Sequence, residues 1–101
     1  MWVFAMFDLP TDTEAARRAY REFRENLLDD GFTMLQYSIY ARHCPSEENA
    51  EVHEKRIKSV LPPDGEVRLL TVTDKQFERM KVFLGKVRGP TEKSPDQVSF
   101  F

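Results

Sequence analysis

A chain of 101 residues, 41% hydrophobic and 32% charged, has material for one core and no more. Eight Phe, three Tyr and one Trp exclude a disordered chain, and fifteen Lys and Arg against seventeen Asp and Glu exclude a surface that binds phosphate everywhere. The single Cys44 excludes an internal disulfide and has no companion at metal-ligand spacing, which points to a structural thiol in a reducing compartment.

Residues 2–7 form an unbroken apolar run, WVFAMF, ended by Asp8-Leu9-Pro10, with the length and aromatic content of a buried central strand. The run lacks a basic flank and is too short for a secretory signal, and no stretch approaches the roughly 18 apolar residues of a membrane span. A cytoplasmic protein with no membrane association is expected. Residues 11–14 read as a capping box, a helix follows to residue 30, and Gly31 supplies its left-handed stop. Ala16, Tyr20, Phe23 and Leu27 fall within an arc of about 60° and form its apolar stripe. Beside that stripe lie Arg17, Arg21 and Arg24, with Arg18 nearby. They suit a ridge that tracks a nucleic-acid backbone; a solvated face paired with Glu14, Glu22 and Glu25 is the alternative.

Residues 32–42 are rich in strand formers, and the polar Gln36 and Ser38 divide them into two strands with a break near Gln36. Tyr37 and Tyr40 read as sheet packing, with stacking on bases as the alternative. Ser46 caps a second helix over residues 47–60, which Pro62-Pro63 cannot continue. Ala50, His53, Ile57, Val60 and Leu61 share its inner face. His53 reads as a satisfied residue at the core's edge, and His43, at a strand end, lies within reach of phosphate without a catalytic role. Asp64-Gly65 signals a turn, residues 66–73 a strand apolar on both sides, residues 74–80 a single helical turn, and residues 81–84 a short extended piece. Residues 85–95 form a Gly, Pro and charge-rich connector, and the apolar residues 98–101 are expected to dock as an edge strand.

The order strand, helix, strand, strand, helix, strand predicts an α+β, ferredoxin-like βαββαβ fold with an additional C-terminal edge strand. Residues 1–85 would make the domain, and residues 86–101 the connector and a strand exchangeable between protomers. Both helices of such a fold cover one sheet face. Trp2, Phe4 and Met6 oppose Val3, Ala5 and Phe7, so the other face is apolar too, and a two-fold homodimer would bury it.

Four blocks carry a resemblance: FDLPTDT at 7–13, YREFR at 20–24, GFTMLQYSIY at 31–40 and LLTVTDKQFERM at 69–80. In order and spacing they resemble the CRISPR-associated Cas-two family, and more narrowly the branch accompanying type II systems. The likeness covers residues 2–85. It implies a ferredoxin-like homodimer acting in spacer acquisition, a step of antiviral defence, in which two protomers bridge dimers of the Cas-one integrase and hold DNA. It also implies a Mg²⁺-dependent endonuclease on RNA or double-stranded DNA, with Asp8 as the catalytic and metal-binding carboxylate and its two copies facing each other across the dimer axis. A carboxylate at a strand end suits Mg²⁺, which keeps several waters and takes one or two protein carboxylates. The other reading of Asp8 is an Asx turn capping Leu9-Pro10. One carboxylate per chain is not a complete two-metal nuclease site. A function of another class, a toxin-like metal-dependent endoribonuclease acting alone, shares the fold.

Overall fold

The computed structural model describes residues 1–85. The apolar run at the N-terminus forms β1 (Trp2–Asp8), flanked on both sides by antiparallel partners, β3 (Ile39–His43) and β4 (Glu66–Val72). With β2 (Thr33–Gln36) pairing β3, the four-stranded sheet has the order β2-β3-β1-β4, and α1 (Glu14–Asp29) and α2 (Glu47–Ser59) complete the ferredoxin-like pattern. The expected fold class is the one found.

Alternation along β1 sends Val3, Ala5 and Phe7 into the core, where they meet Phe23 and Leu27 of α1 and Ala50 and Ile57 of α2. Phe7 is its aromatic centre: Phe23 packs edge-on at 5.2 Å between ring centroids and Tyr40 stacks at 5.6 Å. Cys44 is fully buried and its thiol is pushed up by that burial, as a structural thiol should be.

Local chemistry corrects several boundaries. The cap of α1 is Thr13, whose side chain accepts the Ala16 N–H at 3.0 Å, so the helix begins beyond the capping box expected at residues 11–14. Ala16 has no side chain to return the bond. Gly31 adopts φ +88 as the stop, and Ser46 caps α2 as expected. Leu61 leaves the inner face of α2 and is 48% exposed, because the helix ends at Ser59 and Val60 already has a non-helical backbone. The strand break falls at Tyr37-Ser38, with Ser38 at φ 64 and a bulge between Met34 and Gln36. After β4 the expected helical turn forms as a five-residue helix, α3 (Asp74–Glu78), ending short of residue 80. Residues 81–84 are exposed and form no strand, where a short extended piece was expected. The expected C-terminal edge strand at residues 98–101, and the connector beyond residue 85, lie outside the described residues.

The sheet's second face carries Trp2, Phe4 and Met6 from β1, Ile39 beside Met6, and Leu70 beside Phe4. It is apolar as the sequence requires, but not bare throughout. Phe77 of α3 stacks on Trp2 at 3.9 Å and 7° and lies 5.9 Å from Phe4, so the chain itself covers one end of this face. Leu70, across from Phe4, nevertheless remains 50% exposed.

Candidate metal and nucleic-acid site

Asp8 is the last residue of β1, exposed, on the sheet face away from α1 and α2. The register sets Glu66 directly opposite it, and Arg68 of the same strand opposite Met6. The Arg68 Nε donates to Glu66 Oε1 at 2.9 Å. On the other flank, the Phe7 N–H donates to the Ser38 carbonyl at 3.1 Å, which ties the β2–β3 hairpin to the residue before Asp8. Asp8, Glu66, Arg68, Tyr37 and Ser38 thus line one shallow depression of about 330 Å³. The turn at Gly65 leads into Glu66. This glycine has φ +94, and a Cβ there would stand 2.7 Å from the Asp8 carbonyl oxygen, so only glycine lets β4 begin this close to Asp8.

Among the described residues the Asp8 carboxylate accepts no hydrogen bond, so the Asx-turn alternative is not formed. Nor do three or more His, Cys, Asp or Glu side chains gather anywhere among those residues. What the depression offers a cation is two hard carboxylates, one of them paired with Arg68. That donor set fits an ion that retains most of its water, as Mg²⁺ does, and does not fit a caged metal.

The four arginines of α1 stay outside this depression. Arg17 donates to the Thr11 carbonyl at 3.1 Å, and Arg24 Nε donates to the Tyr40 hydroxyl at 2.8 Å, while Arg18 and Arg21 are exposed. They form a flank of the helix, as their spacing predicts. The cation beside Asp8 is Arg68, which sequence reasoning passed over together with Glu66. Both alternate with Val67 and Leu69 along β4, a signal for which face they share but not for their pairing with Asp8.

His53 is the satisfied core-edge residue expected. It is buried, its Nδ1–H donates to Asp30 Oδ2 at 2.7 Å, and its Nε2 accepts from Arg42 Nε at 3.1 Å. His43 instead stands near Asp74, 3.3 Å from its carboxylate, and edge-on to Trp2. Tyr40 packs inside, but Tyr37 does not: it is 78% exposed, which corrects its reading as sheet packing. It lies in the turn just past Gln36, the last residue of β2, where no strand neighbour among the described residues packs on it.

The family model for "CRISPR associated protein Cas2" matches residues 1–80. The chain belongs to the Cas2 family. A relative from Parvibaculum lavamentivorans is 64% identical over the full length of both chains, and one from Flavobacterium psychrophilum is 50% identical over all of this chain and 88% of its own. Both carry the name CRISPR-associated endoribonuclease Cas2. The crystal structure of Streptococcus pyogenes Cas2 superposes with a TM-score of 0.60 at 19% identity, covering 82% of this chain and 99% of that one, which supports the ferredoxin-like fold of a Cas2 chain. No helix among the described residues is long and apolar enough to cross a membrane.

Proposed function

We propose that this chain is the homodimeric Cas2 subunit of CRISPR spacer acquisition, bridging the Cas-one integrase and holding DNA, and that it carries a Mg²⁺-dependent phosphodiesterase site at Asp8. The observation that carries the catalytic part is the exposed Asp8 carboxylate at the end of β1, opposite Glu66 and near Arg68 in one depression. Asp8, seconded by Glu66, would hold the ion. Bound there, a divalent cation supplies positive charge to a phosphate and to the oxygen leaving it. Arg68 adds a fixed cation against the same phosphate, and the Gly65 turn keeps Asp8 at the open end of the sheet. The partly covered sheet face supports the pairing of two copies, with residues 86–101 exchanged between them, and Arg17, Arg18, Arg21 and Arg24 supply contacts to a nucleic-acid backbone.

Nuclease assays on RNA and duplex DNA with and without Mg²⁺, run beside co-purification with the integrase, test both parts. Metal-dependent cleavage that falls to background in Asp8→Asn, with the variant still dimeric, is the expected result. Cleavage by Asp8→Asn at the parental rate would remove Asp8 from the chemistry. A stable integrase complex without any cleavage would leave the bridging role and remove the nuclease. Cleavage without an integrase complex would favour an endoribonuclease acting alone.

A further inference from the structure

Beside Asp8 stands an aromatic ring for which the core has no use. Tyr37 occupies the turn between β2 and β3, where Ser38 takes up φ 64, and 78% of its surface is exposed. An exposed ring forgoes the burial that stabilises an aromatic in a core. Yet Tyr37 is not loose. Its ring runs nearly parallel to that of Tyr20 of α1, with centroids 6.4 Å apart and planes 24° apart, and the neighbouring Tyr20 phenol raises its own above the usual tyrosine range. Tyr20 in turn meets Phe7 edge-on at 5.9 Å and its hydroxyl lies 3.4 Å from Ser38 Oγ. The ring is therefore backed from the core and presented outwards, in the depression shared with Asp8 and Arg68. Such support limits the conformational entropy lost when a flat ligand docks.

We propose that Tyr37 is the stacking platform of the Asp8 site, on which an unpaired base of a single-stranded nucleic acid lies while the adjoining phosphate sits at Asp8 and Arg68. The inference rests on the nucleic-acid reading of that site. Any base has a flat face to offer, so the contact is tolerant of sequence; in a duplex those faces are covered by neighbouring pairs, so it selects against paired strands. Tyr37 is in this way the residue that determines strandedness, and Arg68 the one that anchors the backbone.

The test uses the full chain carrying Asp8→Asn, which binds without cutting, and single-stranded RNA and DNA of about 12 nucleotides with 2-aminopurine at one position, beside duplexes of the same sequence. Adding Tyr37→Ala is expected to abolish the quenching of 2-aminopurine on binding and to weaken single-strand affinity by roughly 5- to 100-fold, the range typical of one lost stacking contact. Duplex affinity should not change, and Tyr37→Phe should retain both the quenching and the affinity. Unchanged single-strand affinity in Tyr37→Ala, an equal loss for single strands and duplexes, or no binding of single strands by the Asp8→Asn chain would each overturn the proposal. The failure of the nuclease reading is seen separately, as absence of cleavage by the parent chain, and leaves the stacking result readable.

Discussion

Asp30 follows the last residue of α1, where the helix dipole disfavours a negative charge. Burial also works against its ionised form, and is the largest single influence on it. Hydrogen bonds and charges from His53 and Arg56 together outweigh both, and the carboxyl is held below the ordinary value of 3.8. Arg56 Nη1 donates to Oδ1 at 2.8 Å and His53 Nδ1 to Oδ2 at 2.7 Å, so this one side chain clasps α2 to the end of α1. Because the folded pKa lies below the unfolded one, the unfolded chain binds more protons in the intervening window. The stabilisation is complete above pH 3.8 and is lost as pH falls through the lower folded value. Asp30→Asn should therefore cost about 1.5–3 kcal/mol at neutral pH, the worth of hydrogen bonds to a charged group, and progressively less below the carboxylate range. Urea unfolding at pH 7 and pH 3 measures this; an equal deficit at both would mean that Asp30 acts through shape and not through charge.

Among the elements, α3 is far too short to stand by itself. It is held by a capping box, in which Thr73 Oγ1 accepts from Gln76 N at 3.1 Å and Gln76 Oε1 from Thr73 N at 2.9 Å, and by the stack of Phe77 on Trp2. Asp74, at its start, accepts from the Met1 ammonium at 2.6 Å, a contact that with His43 keeps this carboxyl below its usual range. Trp2 is the sole tryptophan of the chain, so its fluorescence reports on the end of the sheet where α3 lands. Phe77→Ala should shift that emission to the red and remove about 0.5–1.5 kcal/mol of aromatic pairing beyond the area lost. Unshifted emission would show that α3 does not rest there in solution. The turn at residues 74–80 was legible from composition, but its landing on Trp2 was not, since that depends on which way the chain leaves β4. The same limit explains the site. Asp8 stood out because an apolar run ends on it, whereas Glu66 and Arg68 become its neighbours only through the antiparallel register of two strands separated by most of the domain. Gln36 and Ser38 marked the hairpin correctly, yet the bulge that shifts the register just ahead of Tyr37 leaves no trace in a hydrophobic pattern.

At the scale of the molecule, the sheet face opposite α1 and α2 is divided. Phe77 closes the Trp2 end, while toward the other end Leu70 is half-exposed, Met6 partly exposed and Asp8 exposed. If two copies meet on this stretch, as the proposed function requires, then the apolar association and the approach of two Asp8 carboxylates share one surface, and loss of the dimer must also weaken metal-dependent cleavage. Leu70 is the position to test, because it lies beside Phe4 on that face and, being half-exposed within one chain, tolerates a polar side chain without loss of the core. Leu70→Lys sets a charge against the partner's apolar surface, and the two-fold repeats the penalty on both chains. Removal of such a contact should raise the dimer dissociation constant at least about tenfold, equivalent to roughly 1.4 kcal/mol. Light scattering across a dilution series should show monomer at concentrations where the parent is dimeric, with unchanged circular dichroism and with cleavage falling in step with the dimer fraction. A variant that remained dimeric to the same dilution would place the pairing surface elsewhere on the fold, and one that became monomeric yet cut at the parental rate would mean that a single Asp8 suffices for the chemistry.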